Sequence, residues 1–267
     1  MATKLDRILA QTKLDVAARK ETADITSLDR LASAHTPRGF ARGLRRVAEH
    51  GPAVIAELKK ASPSKGLIRA EFHPTQLALS LEAGGAAALS VLTDEPFFQG
   101  SLRNLELASA AVKIPCLRKD FMVDPFQVLE ARASGADAIL LIVAAHTDED
   151  LKLLRASARE HGLDVLCEVH SGEELDRAVQ LGCEAIGVNS RDLRDFTVRL
   201  DTFADLVERI PAEVVRVAES GIRNGDDMLR LRTAGYDAFL IGESLMRQPD
   251  PGAALAEMLG RTLAAGA

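Results

Sequence analysis

Residues 135–142 read GADAILLI: a glycine, a small and an acidic residue, then an unbroken apolar run. The glycine is the residue that stops a helix in the left-handed conformation. The run is too short for a buried helix and reads as a strand. The pattern recurs at 85–92 (GAAALSVL), 182–188 (GCEAIGV) and 235–241 (GYDAFLI). A unit returning every ~50 residues is the mark of a repeated architecture. A second series of runs lies between these: 52–58 (PAVIAEL), 114–119 (IPCLRK), 162–169 (GLDVLCEV) and 210–217 (IPAEVVRV). Three of them carry a Pro in their first two residues, where a strand tolerates a missing N–H. Neither series alternates apolar with polar, so both read as strands of a parallel sheet buried on both faces.

The stretches between strands carry apolar residues at helical spacing. They are His73–Ala83, Leu102–Ala111, Pro125–Ser134, Asp148–His161, Glu173–Leu181, Asp201–Arg209, Gly225–Thr233 and Gly252–Leu263. Alternating strands and helices predict an α/β fold, a single (β/α)8 TIM barrel, over a long doubly wound sheet. No GxGxxG follows the first run, which disfavours a dinucleotide-binding sheet. Residues 1–267 are expected to form one domain, with 51–267 the barrel and 1–50 an N-terminal helical extension. In that extension Leu5, Ile8, Leu9 and Val16 mark one long helix, followed by a polar turn and a second helix around Phe40–Glu49, capping one end of the barrel.

Composition bounds the function. Hydrophobic residues are 47% and aromatics only 4%, with no Trp, so the core is aliphatic. The net charge of −6 argues against a nucleic-acid partner, which would bring a basic face. No apolar run approaches the ~18 residues of a membrane span, and the opening residues lack the apolar core of a secretory signal. A cytoplasmic protein is expected, monomeric or a weak homo-oligomer. Cys116, Cys167 and Cys183 are read as buried free thiols, because their number is odd and no CxxC occurs.

In a barrel of this kind the chemistry sits at the C-terminal ends of the strands. Those ends read Glu57-Leu58-Lys59, Arg118-Lys119-Asp120-Phe121, Glu168-Val169-His170, Asn189-Ser190-Arg191, Glu219-Ser220-Gly221 and Gly242-Glu243-Ser244. One charge at a strand end is an ordinary loop entrance. Six charged or polar ends converging on one narrow ring are costly unless they are used. Gly221 and the Gly242-Glu243-Ser244 turn follow the last two strands, where barrels often hold a phosphate on backbone N–H groups. The loop Lys60–Gly66 is either a polar surface loop or a flap that closes on substrate. The other histidines show no metal-ligand spacing, and His170 is read as structural.

At these strand ends the sequence resembles indole-3-glycerol phosphate synthase. The strings that carry the resemblance are IAELKKASPSKG (55–66), LSVLTD (89–94) with FFQGS (97–101), LRKDF (117–121), LCEVH (166–170), GVNSRDL (187–193), AESGI (218–222) and LIGESLM (240–246). They span the barrel, and LDRILAQTKLDVAARK (5–20) resembles the family's N-terminal helix. The resemblance implies ring closure, decarboxylation and dehydration of 1-(2-carboxyphenylamino)-1-deoxyribulose 5-phosphate, a small phosphorylated substrate, with no metal and no cofactor. It places Lys119 at the general-acid position. Glu57, Lys59 and Glu168 are candidates for the dehydration, with Asn189 and Ser220 in the same catalytic group. Ser62, Phe98, Phe121, Arg191, Leu193 and Glu219 are expected to touch the substrate, and Gly221, Gly242, Glu243 and Ser244 its phosphate. Lys59 is also a candidate cation for that phosphate. Phosphoribosylanthranilate isomerase, a Schiff-base aldolase using Lys119, and a non-catalytic binding barrel remain as alternatives.

Overall fold

The computed structural model describes residues 3–191 and 201–265. Eight parallel strands close into a barrel: β1 (Ala53–Leu58), β2 (Ala88–Leu92), β3 (Cys116–Lys119), β4 (Ala138–Ile142), β5 (Asp164–Val169), β6 (Ala185–Asn189), β7 (Val215–Glu219) and β8 (Ala238–Ile241). The closing pair is β1 with β8, in register from Ala53 opposite Ala238 to Ala56 opposite Ile241. All eight apolar runs therefore form the strands expected of them.

Strand parity divides the core in two. Ala53, Ile55, Ala88, Leu117, Ala138, Leu140, Leu166, Ala185, Val215, Val217 and Leu240 fill the barrel's interior. Residues of the opposite parity, such as Val54, Leu89, Ile139, Val165, Ile186 and Phe239, pack outward on the helices. Side chains two apart share a face. Following the inward face to the strand ends gives Glu57 after Ile55, Lys119 after Leu117, Glu168 after Leu166 and Glu219 after Val217. The sheet's own alternation thus delivers the charged ring.

Three helices precede the barrel: α1 (Lys4–Thr22), α2 (Ile25–Ala34) and α3 (Phe40–Ala48). The sequence reading took the region of α2 as a polar turn. It is a helix because Asp24 caps it through the backbone N–H of Ser27, and only Ala32 of it is buried, which hid its periodicity. Phe40 and Leu44 of α3 are fully buried against the N-terminal ends of the strands and plug the bottom of the barrel. Asp137, at the foot of β4, ties this segment down. It accepts from the backbone N–H of Arg38 (2.7 Å), the Arg38 guanidinium (2.9 Å) and the backbone N–H of Cys116 (2.6 Å). Burial pushes the Asp137 carboxyl up, but its bonds to His35 and Arg38 outweigh that and hold it below its ordinary range.

Among the described residues ten α-helices follow in chain order, and four bear on the site. They are α5 (Glu95–Phe98), α7 (Pro125–Ala133), α9 (Gly172–Leu181) and α12 (Glu243–Met246). The loop after β1 is a hairpin in which Ala61 and Ser62 pair with Leu67 and Gly66.

One expectation is corrected. Cys167 and Cys183 are joined as a disulfide, with Cα atoms 6.5 Å apart. Cys167 faces outward on β5 and Cys183 sits in the turn before β6, so two neighbouring strands bring together residues whose spacing in sequence gave no sign of it. Cys116 alone is a free thiol, pushed up to about 12 by burial.

Candidate active site

A cavity of about 820 Å³ opens at the C-terminal ends of the strands. Leu92, Leu140, Ile142 and Leu240 form its apolar floor, which is the top layer of the barrel interior. Phe98 of α5 and Phe121 beyond β3 form one wall, their ring centroids 6.2 Å apart. The opposite side is built from Ser220, Gly221, Gly242, Glu243 and Ser244.

Lys119 stands at the centre. Its Nζ lies 3.0 Å from Glu168 Oε2 and 2.8 Å from Glu219 Oε2. Burial acts to strip the charge from Lys119, but the two carboxylates and the charge of Glu57 overcome it and hold the ammonium well above the ordinary lysine range. This is the reverse of the lowered pKa that a Schiff-base lysine needs. Glu168 is held below the usual carboxylate range: burial opposes ionisation, and Lys119, His170 and a hydrogen bond from Asn189 outweigh it. Glu219 goes the other way, raised by burial and by the neighbouring charge of Glu168. Two carboxylates on one lysine thus divide into one that stays ionised and one that readily takes a proton.

Asn189 is further fixed by accepting from the backbone N–H of Arg191 at 3.0 Å. Ser190 Oγ reaches the carbonyls of Glu219 and Ser220, locking the ends of β6 and β7 together. Ser220 and Gly221 then both adopt left-handed backbone, φ 68° and 77°. For serine that is costly, and such strain concentrates at functional turns. Ser244 Oγ donates to the carbonyl of Ile222, so the turns after β7 and β8 are joined. The first N–H groups of α12, those of Glu243 and Ser244, have no carbonyl within their own helix to bond.

Fifteen of the sixteen residues singled out from the sequence line this cavity: Glu57, Lys59, Ser62, Phe98, Lys119, Phe121, Glu168, Asn189, Arg191, Glu219, Ser220, Gly221, Gly242, Glu243 and Ser244. Leu193 lies outside the described residues. Lys59 is engaged by Glu57 at 2.5 Å. The cavity also takes in Lys4 of α1, Arg223 and Arg247. Arg223 and Arg247 are paired within their own segments, to Asp227 and Glu243. Nothing in the sequence placed Lys4 at the mouth, because the path of α1 is a tertiary fact. Arg118, the residue before Lys119, is fully buried. Its guanidinium donates to Asp120 (2.7 Å), Thr93 (3.1 Å) and the carbonyl of Gln127 (2.8 Å), and lies 3.3 Å from Glu130. Arg19 of α1 grips the same Glu130. The strand that presents Lys119 is therefore clamped from behind and tied to the N-terminal helix.

Solved structures share the architecture. A thiamine phosphate pyrophosphorylase from Pyrococcus furiosus matches with a TM-score of 0.61 at 18% identity, over 82% of this chain and 98% of that one. KGPDC from Streptococcus mutans matches with a TM-score of 0.62 at 10% identity, over 81% and 99%. Identities this low speak to the fold alone. Sequence relatives go further. The indole-3-glycerol phosphate synthase of Koribacter versatilis (strain Ellin345) is 58% identical over 260 residues, 97% of this chain and 100% of the relative. That of Dechloromonas aromatica (strain RCB) is 49% identical over 260 residues, 97% and 99%. Residues 5–258 match the family described as indole-3-glycerol phosphate synthase, and the chain belongs to that family.

Proposed function

We propose that the ring at the barrel mouth performs the family's ring closure, with Lys119 as the general acid. The enzyme is a carboxy-lyase of tryptophan biosynthesis. It converts 1-(2-carboxyphenylamino)-1-deoxyribulose 5-phosphate to indole-3-glycerol phosphate, carbon dioxide and water. In the first step the ring carbon bearing the carboxylate bonds to the ribulose C2 carbonyl carbon. The carbonyl oxygen gains negative charge and must be protonated. Lys119 Nζ supplies that proton, and its two carboxylate partners then stabilise the return of the proton. Loss of carbon dioxide gives its electron pair back to the ring and restores aromaticity. The dehydration needs an acid for the departing hydroxyl and a base for the carbon-bound proton next to nitrogen. Glu168, ionised across the neutral range, serves as that base, and the Lys59–Glu57 pair faces the leaving hydroxyl.

The apolar floor and the Phe98–Phe121 wall suit the aromatic ring. Asn189 and Arg191 hold its carboxylate. The joined turns at Gly221 and Gly242–Ser244 take the phosphate through backbone N–H groups, with Arg223 and Arg247 as cations that can turn from their partners toward it. Lys59, committed to Glu57, is better placed for chemistry than for phosphate.

The observation that carries this reading is the double pairing of Lys119 with Glu168 and Glu219 above an apolar floor. Glu168→Gln keeps the shape and removes the base. It is expected to lower kcat by about 10²–10⁴-fold, the span of general acid–base catalysis, with the melting temperature little changed. An unchanged kcat with a lowered melting temperature makes Glu168 a structural partner of Lys119 only.

A further inference from the structure

The residue one step past β5 does more than end the strand. The backbone N–H of His170 donates to Glu174 Oε2 at 2.8 Å, and its ring Nδ1 lies 3.2 Å from the same oxygen. One carboxylate of α9 thereby fixes both the backbone and the ring. The other nitrogen, Nε2, is buried with no hydrogen-bond partner and lies 3.4 Å from Glu168 Oε1, close enough for its charge to be felt there. Glu168 is bracketed as a result, with Oε2 on Lys119 and Oε1 on His170.

The chemistry of imidazole decides what this means. A neutral ring has one N–H donor and one lone pair. Here both nitrogens face carboxylate oxygens, so a neutral ring sets a lone pair against one carboxylate whichever tautomer it takes. Only the imidazolium presents an N–H toward both. The charges of Lys119 and His170 then offset those of Glu168 and Glu219, which a buried ring of carboxylates requires.

We propose that His170 is a positioning residue of the active site, held as an imidazolium by Glu174 so that Glu168 stays ionised and turned toward Lys119. The proposal rests on the reading of Glu168 as the base. The groups facing His170 among the described residues are Glu174 from α9, Glu168 from its own strand and Glu219 from β7. Burial favours the neutral ring, and these three carboxylates together raise His170 above the ordinary histidine range. His170 is not among the residues that line the active-site cavity, so its effect on the reaction passes through Glu168.

The test is His170→Asn, which keeps a donor but no charge, alongside Glu174→Gln and the wild type. Loss of such an outer partner is expected to lower kcat about tenfold, with KM nearly unchanged. The decisive readouts are two. The acid limb of the kcat/KM profile should move to higher pH in His170→Asn, because Glu168 loses a cationic neighbour. Nitrogen-15 spectra of the wild-type imidazole should show both ring nitrogens protonated at neutral pH, and Glu174→Gln should lower the titration midpoint of the ring. An unmoved acid limb, or a neutral ring at neutral pH in the wild type, overturns the proposal. If Glu168→Gln retains full kcat, Glu168 is not the base. The spectrum still reports the charge of His170 on its own, so the two failures are told apart.

Discussion

Lys119 and Glu219 meet at 2.8 Å, although β3 and β7 stand on opposite sides of the barrel. The contact crosses the mouth, and both residues line the cavity. Gly187 of β6 makes room for the Glu219 carboxylate, since a Cβ there would run into Glu219 Oε1. That oxygen is buried without a hydrogen-bond partner. Glu219 thus carries charge it is poorly solvated to keep, which is why it is raised while Glu168 is lowered.

From this follows a pH dependence. Glu168 and Glu219 repel each other, so removing either charge makes the other more acidic. Glu219 takes its proton first, so the coupling is read on Glu219: Glu168→Gln should move the Glu219 carboxyl down toward the usual carboxylate range. Carbon-13 spectra of that carboxyl in wild type and Glu168→Gln check the sign, and a Glu219 titration that stays put or rises contradicts the coupling.

The phosphate assignment predicts a separation of constants. Gly221→Val places a branched side chain at φ 77°, where only glycine is comfortable. It should raise KM and weaken inhibition by inorganic phosphate, with the smaller effect on kcat. Gly242→Val should depress kcat as well, because a Cβ at Gly242 would strike the carboxylate of Glu57. Phosphate inhibition unchanged in Gly221→Val removes the phosphate from these turns.

The bottom of the barrel predicts a change in stability with little in chemistry. Arg38→Ala leaves the buried Asp137 carboxylate without its guanidinium, a loss of about 3–5 kcal/mol when one partner of a buried pair is removed. The folded-state carboxyl is lowered relative to its unfolded value. Its contribution is therefore present above the ordinary aspartate pKa of about 3.9 and lost as pH falls through the folded value. Denaturant midpoints should separate wild type from Arg38→Ala widely at neutral pH and less in strong acid, at equal kcat. A gap that widens in acid contradicts the role of Asp137.

The barrel was legible because a parallel sheet buried on both faces writes uninterrupted apolar runs, and the strand ends were legible because parity carries Ile55 on to Glu57 and Leu166 on to Glu168. Helix α2 was hidden because it buries one alanine and rests on a cap rather than an apolar stripe. The Cys167–Cys183 pairing, the reach of Lys4 to the mouth and the Arg118 clamp are long-range contacts, and local pattern holds no record of them. His170 was visible as a neighbour of Glu168, but its role depends on Glu174 from the following helix, one turn along at the same spacing that pairs side chains on a helix.

The central claim is that Lys119 protonates the carbonyl during ring closure at this mouth. The chain contains no Trp, so the indole product can be followed by its own fluorescence without a protein background. Purified protein given 1-(2-carboxyphenylamino)-1-deoxyribulose 5-phosphate should develop indole fluorescence with turnover. Lys119→Ala should lose about 10²–10⁴-fold in kcat while substrate affinity stays within about tenfold. Wild-type protein that yields no indole, or Lys119→Ala that retains more than about a tenth of wild-type kcat, contradicts the account.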